Sequence, residues 1–152
     1  MNQELVDQSY AHCKQLCKDA SSTFFSSFTA LAYEKRCAVH AVYALCRWVD
    51  DVVDGDVEPF AEETEELLQA TLERDMIVKN IHIDKQTANS EKIYIKKLMT
   101  LVSIRKSLQR ASEGKINSDD SLVFVALQDV FYRYPIRLQD FETLIEGMED
   151  DL

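Results

Sequence analysis

From Tyr33 to Asp54 the chain carries no glycine or proline, and Ala38, Val39, Val42, Leu45, Cys46, Val49 and Val53 recur at helical intervals. That period belongs to an amphipathic helix with those residues inward, and Gly55 supplies its stop. A helix of this length must bury its apolar stripe against other elements, so the rest of the chain decides what those are. Only 3 glycines and 2 prolines occur in 152 residues, too few to punctuate a set of short strands, while good helix formers are abundant. The sequence therefore predicts an all-α protein, a single helical domain or half-domain over residues 1–152.

The other elements follow from the same signals. A first helix is expected over residues 3–18, with Leu5, Ser9, His12, Cys13 and Leu16 inward. Ser21, Ser22 and Thr23 break it and offer capping oxygens to a short helix bearing Phe24, Phe25 and Phe28. Pro59 suits the first turn of a helix running through Leu67, Leu68 and Leu72. Ser118, Asp119 and Asp120 are expected to open a helix with Leu122, Val125, Ala126, Val130 and Phe131 inward, closed by Pro135. Leu138, Phe141, Leu144, Ile145 and Met148 mark a last helix that runs on toward Leu152 without a stop signal. That stripe is expected to be the stickiest part of the surface, and its helix to be cut short.

Charge and cysteine usage exclude several classes. A net charge of −10 argues against nucleic acid and against anionic membrane surfaces. The chain holds no 18-residue uncharged apolar run and no charged-then-apolar leader, which predicts a soluble, cytoplasmic protein with at most peripheral membrane contact. Cys13, Cys17, Cys37 and Cys46 lack Cys-x-x-Cys spacing and lie in apolar-periodic segments, so they read as buried reduced thiols. His12, His40 and His82 are isolated and read as satisfied helical or surface histidines.

The end of the long helix carries the chemistry. Tyr43, Arg47, Asp50 and Asp54 stand at i, i+4, i+7 and i+11 and form one stripe, flanked by Asp51. Carboxylates a turn apart repel unless a cation sits between them, and hard oxygen donors suit Mg²⁺, which also takes phosphate oxygens. Asp50, Asp51 and Asp54 are the candidate metal carboxylates, and Arg47 adds a fixed positive fork. The plain alternative is a solvated acidic helix end.

Residues 21–55 resemble the first part of the squalene/phytoene synthase family, the head-to-head prenyl transferases. The matching elements are Ser21-Ser22-Thr23-Phe24, Leu31-Ala32 with Lys35-Arg36, Tyr43-Ala44-Leu45-Cys46-Arg47 and Asp50-Asp51-Val52-Val53-Asp54. Phe141 to Leu152 resembles a later family segment ending in Gly-Met-x-x-Asp-Leu. Ala32 replaces the family's proline and Thr23 its second serine. The family's second aspartate-rich motif has no counterpart here, since Asp119-Asp120 and Asp150-Asp151 have other surroundings.

The resemblance implies an isoprenoid-synthase-type helical bundle, present as its N-terminal half, that self-associates or pairs with the missing C-terminal half. It implies a prenyl diphosphate substrate and Mg²⁺, with Arg47, Asp50 and Asp54 catalytic. Ser21 and Thr23 would hold phosphate oxygens, and Phe24, Phe28 and Tyr43 would line the prenyl channel. The implied reaction is ionisation of an allylic diphosphate and head-to-head coupling in the full-length form. The alternatives are a prenyl diphosphate hydrolase releasing an alcohol such as farnesol, and an inactive helical interaction module.

Residues 74–110 do not follow the family pattern and read as a basic insertion. They hold nine of the 17 Lys/Arg residues but three of the 27 acids. Residues 81–90 read as turn-like, and Ile93, Ile95, Leu98, Leu101, Val102 and Ile104 suggest a helix. The segment is either a basic lid for the diphosphate or a solvated insertion that neutralises an acidic neighbour.

Overall fold

Asn2 starts the first helix by accepting the Leu5 N–H on its side chain at 2.8 Å in a computed structural model that describes residues 2–55 and 85–152. That helix, α1, spans Gln3–Ala20. Ser21 then takes up extended backbone and caps α2 (Ser22–Ser27), which passes into a 3-10 turn at Phe28–Ala30. α3 runs over Tyr33–Asp54, the bounds expected from its periodicity. Its stop depends on close approach: the Gly55 N–H donates to the Asp51 carbonyl at 2.8 Å, and a Cβ at Gly55 would collide with that oxygen.

Pro59, Leu67, Leu68, Leu72 and His82 lie outside the described residues. α4 spans Lys85–Ser112, so residues 85–90 are helical rather than turn-like: they are mostly polar, but no glycine or proline interrupts them. α4 ends in a Schellman motif, with Gly114 at φ +73°, Gly114 N–H on the Ala111 carbonyl and Lys115 N–H on that of Arg110. α5 spans Leu122–Arg133 and is capped by Ser121, not by residues 118–120. The reason is that the Asp120 carboxylate turns back to accept the Asn117 N–H at 3.0 Å and is gripped by Arg110 at 2.8 and 2.9 Å. α6 spans Leu138–Glu149 and closes in a tight turn, with the Asp151 N–H on Met148 and the Leu152 N–H on Glu149, so the helix stops short of Leu152.

Among the described residues these six α-helices pack without a strand. α5 is the central one, with Val123, Phe124, Val125, Ala126, Leu127 and Val130 buried on nearly every face, and it touches α1, α3 and α4. α1 buries Val6, Ser9, Cys13 and Cys17, while His12 and Leu16 are exposed. Ser9 and Cys13 thus face inward as expected, Leu5 is half-buried against the core, and Val6 and Cys17 take the places expected of His12 and Leu16. Ser9 is accommodated in the core because its hydroxyl donates to the Val6 carbonyl at 2.6 Å.

α3 turns Ala38, Ala41, Ala44, Leu45, Val49, Val52 and Val53 inward, and Val39, Val42 and Cys46 are half-buried. The small residues Ala41 and Ala44 let its neighbours come close, and Trp48 closes the packing against Phe124 with ring centroids 5.4 Å apart. On α6, Phe141 and Ile145 are buried and Leu144 is exposed, so most of its stripe is already covered.

All four cysteines are free thiols. Burial pushes the Cys13 thiol up to about 12 and the Cys17 thiol to about 11, so both are inert packing groups. Among the described residues no helix is long and apolar enough to cross a membrane.

Candidate active site

The last turns of α3 place Arg47, Asp50, Asp51 and Asp54 at one end of the bundle. Arg47 lies between two carboxylates: one guanidinium nitrogen is 2.7 Å from Asp51 and the other is 3.7 Å from Asp50. The closer partner is Asp51, the residue that helix geometry alone makes a flank of the stripe. The i+4 step brings a carboxylate under a long guanidinium. Arg47, Asp50 and Asp51 are each about half exposed, so the group remains open to an incoming ligand. Asp54 stands exposed in the final turn.

Among the described residues no three His, Cys, Asp or Glu side chains converge into a metal cage. The donor set suits Mg²⁺, which keeps water and needs only one or two protein carboxylates, and it does not suit structural zinc. The carbonyl end of α3 adds negative potential there and favours a cation.

Towards its N-terminus the same face of α3 becomes aromatic. Tyr43 meets Phe24 at 6.3 Å and Phe28 at 6.4 Å between ring centroids, and Phe28 also meets His40 at 6.1 Å. His40 in turn stacks on Phe25 at 5.5 Å and 14°. The structure therefore brings Phe24, Phe28 and Tyr43 together beside Arg47. Ser21 uses its hydroxyl to accept the Phe24 N–H at 3.3 Å as the α2 cap, and Thr23 is exposed on that helix.

His40 is the residue that the sequence reading missed. It is 2% exposed and its Nε2 has no hydrogen-bond partner, so it is neither a surface nor a fully satisfied histidine. Its signal was present: positions 40, 43, 47, 50 and 54 advance by alternating steps of three and four, so His40 continues the stripe. Burial, together with the nearby charges of Lys14 and Arg36, holds its ring below the usual histidine range.

The folded His40 ring therefore takes up a proton less readily than the unfolded one. Its contribution to stability is full above the ordinary value of about 6.5 and is lost as pH falls below it. Urea midpoints of the wild type and His40→Met should accordingly diverge between pH 7.5 and pH 5, with the wild type losing more. Parallel pH profiles would show that His40 takes up a proton as readily in the folded chain as in the unfolded one.

The basic helix α4 distributes its cations. Arg105 binds Glu149 on α6 at 2.6 Å, and Arg110 binds Asp120, so these two neutralise acidic neighbours. Lys97 instead reaches the aspartate end of α3, where its ammonium donates to the Val53 carbonyl at 2.7 Å.

Among the described residues the fold is all-α, consistent with a bundle of the isoprenoid-synthase type. The chain belongs to the squalene/phytoene synthase family, whose model matches residues 17–152. It is 31% identical over 144 residues to a phytoene synthase of Mycobacterium tuberculosis, an overlap that covers 93% of this chain and 34% of that protein. A 15-cis-phytoene synthase of Synechococcus elongatus is 26% identical over 147 residues, 97% of this chain and 35% of the relative. A 4,4'-diapophytoene synthase of Staphylococcus haemolyticus is 42% identical over 55 residues, 35% of this chain and 19% of its own length. The chain thus spans about a third of the length of the first two relatives.

Proposed function

We propose that this chain binds an allylic prenyl diphosphate and forms part of a prenyl transferase that joins two such substrates head to head. The observation that carries this reading is the continuity of one face of α3, from Asp54, Asp50 and Arg47 into Tyr43, Phe24 and Phe28. Such a face pairs an anion-binding end with a cluster of aromatic rings, groups that match the two halves of an amphipathic diphosphate ester.

Asp50 and Asp54, with Asp51 at their side, would hold Mg²⁺. When bound, this ion neutralises diphosphate oxygens and makes the diphosphate a better leaving group. Arg47 balances charge on the same group as the carbon–oxygen bond ionises. Ser21 and Thr23 hydrogen-bond phosphate oxygens, Ser21 through its free lone pair while it caps α2. Phe24, Phe28 and Tyr43 line the prenyl chain, and their faces stabilise an allylic cation without capturing it. The chain points along the stripe toward His40, about 15 Å from Asp50 along the helix axis.

A second reading has its own support. Coupling needs two diphosphate sites, and among the described residues the Asp119-Asp120 pair is not free to form one, since Asp120 is held by Arg110 and Asn117. With a single site, water can take the cation and release a prenyl alcohol. Incubation with farnesyl or geranylgeranyl diphosphate and Mg²⁺, followed by product identification, tests both readings. The expected result for this chain alone is Mg²⁺-dependent substrate binding with little or no C30 or C40 hydrocarbon. Abundant alcohol would favour the hydrolase, and absence of binding with Mg²⁺ present would overturn the diphosphate reading.

A further inference from the structure

We propose that Lys97 is a second cationic ligand of the diphosphate, presented by α4 across from Arg47; this rests on the diphosphate reading above. The first observation is its place on α4. Lys97, Leu101, Ile104, Leu108 and Ala111 share one face, and the last four are buried at 2% exposure or less. Lys97 therefore occupies the first step of a core-facing stripe, where packing alone asks for an apolar residue.

The second observation is where that step ends. The Lys97 ammonium sits 2.7 Å from the carbonyl of Val53, which precedes Asp54 and follows Asp50 by three residues. One of its three donors is used there, and among the described residues no carboxylate pairs with it. α4 packs against α3 and α6, and the bond to Val53 holds the ammonium at that end of α3.

The third observation is the charge balance at that end of α3. Three carboxylates and the helix carbonyls gather there, and the cation on α3 itself, Arg47, is already drawn to Asp51 and Asp50. A diphosphate stays anionic after binding one divalent ion, so it needs positive charge that Arg47 supplies only by leaving its partners. Lys97, by contrast, is bonded to a neutral carbonyl.

A role confined to capping α3 is the competing account, and glutamine separates the two. Lys97→Gln keeps an N–H donor for the Val53 carbonyl and removes the charge, whereas Lys97→Arg keeps both. Calorimetry with inorganic pyrophosphate and Mg²⁺ at low and high salt, alongside thermal melts, gives the readout. Lys97→Gln is expected to bind about tenfold more weakly, the effect of losing one charge-assisted contact. Its affinity should also depend less steeply on salt, while Lys97→Arg stays near the wild type.

An unchanged salt dependence in Lys97→Gln, whether or not its melting temperature falls, would overturn the proposal, because a purely structural loss weakens binding equally at every ionic strength. Wild-type binding that Lys97→Gln leaves unaltered overturns this assignment alone. A wild-type chain that fails to bind Mg²⁺-pyrophosphate overturns the diphosphate reading as well.

Discussion

Phe141→Ala should lower the unfolding free energy by about 3–5 kcal/mol, the range for deleting a buried aromatic side chain. For a chain of this size that corresponds to a fall in melting temperature of about 6–20 °C. Phe141 is 2% exposed and meets Phe131 edge-on at 5.2 Å, and it anchors α6 in the cluster shared with α3, α4 and α5. Leu144, less than one turn further along, is exposed, and Leu144→Ala should change stability by no more than about 0.5 kcal/mol.

Urea unfolding of the two variants checks the docking of α6. Equal losses would mean that the helix is rotated from the orientation described. The same contrast decides how self-association is probed. Phe141 is a core residue, so an aspartate there unfolds the helix. Leu144→Asp leaves the core intact and should shift any oligomer seen by sedimentation toward monomer.

Helices were legible in this sequence to a greater degree than their orientations. α3 could be bounded at both ends because its signals are local: a run without breakers, an apolar period and a glycine stop. Which of two adjacent rows faces inward is not local. On α1, Ser9 and Cys13 are common to either choice, and the position of α5 adds Val6 and Cys17 to the core rather than His12 and Leu16. The start of α5 moved to Ser121 for a similar reason. Asp120 is a good cap in isolation, but Arg110, ten residues earlier, holds its carboxylate elsewhere.

The site divides along the same line. Tyr43, Arg47, Asp50 and Asp54 could be read as one face because helical spacing alone places them there. The Arg47–Asp51 pair depends on side-chain reach, which the angular position of the backbone understates. Lys97 and Val53 are 44 residues apart, and no local pattern announces their contact. His40 looks isolated along the sequence because its neighbours Phe25 and Phe28 come from another element. Composition also concealed the division of labour on α4, whose positive surplus is shared between ion pairs and the aspartate end.

Asp50→Ala should weaken Mg²⁺-dependent pyrophosphate binding by at least about 100-fold. Losing a residue that only orients a metal ligand already costs roughly 10- to 100-fold, and here a proposed ligand itself is removed. Asp54→Ala should act alike. Asp51→Ala should cost less than about tenfold, because Asp51 is the closest partner of Arg47, and its loss frees that guanidinium for the ligand even as it removes a nearby carboxylate. Without Mg²⁺ the sign reverses. Asp50 and pyrophosphate then repel one another, so Asp50→Ala should bind the metal-free anion no more weakly than the wild type, and more tightly at low salt. Titrations with and without Mg²⁺ therefore separate a metal ligand from a residue that merely shapes the site, which would weaken both. If Asp51→Ala caused the largest Mg²⁺-dependent loss while Asp50→Ala had no effect, the cation would sit on the flank of α3 that carries Trp48 and Asp51, and the substrate face would have to be moved there with it.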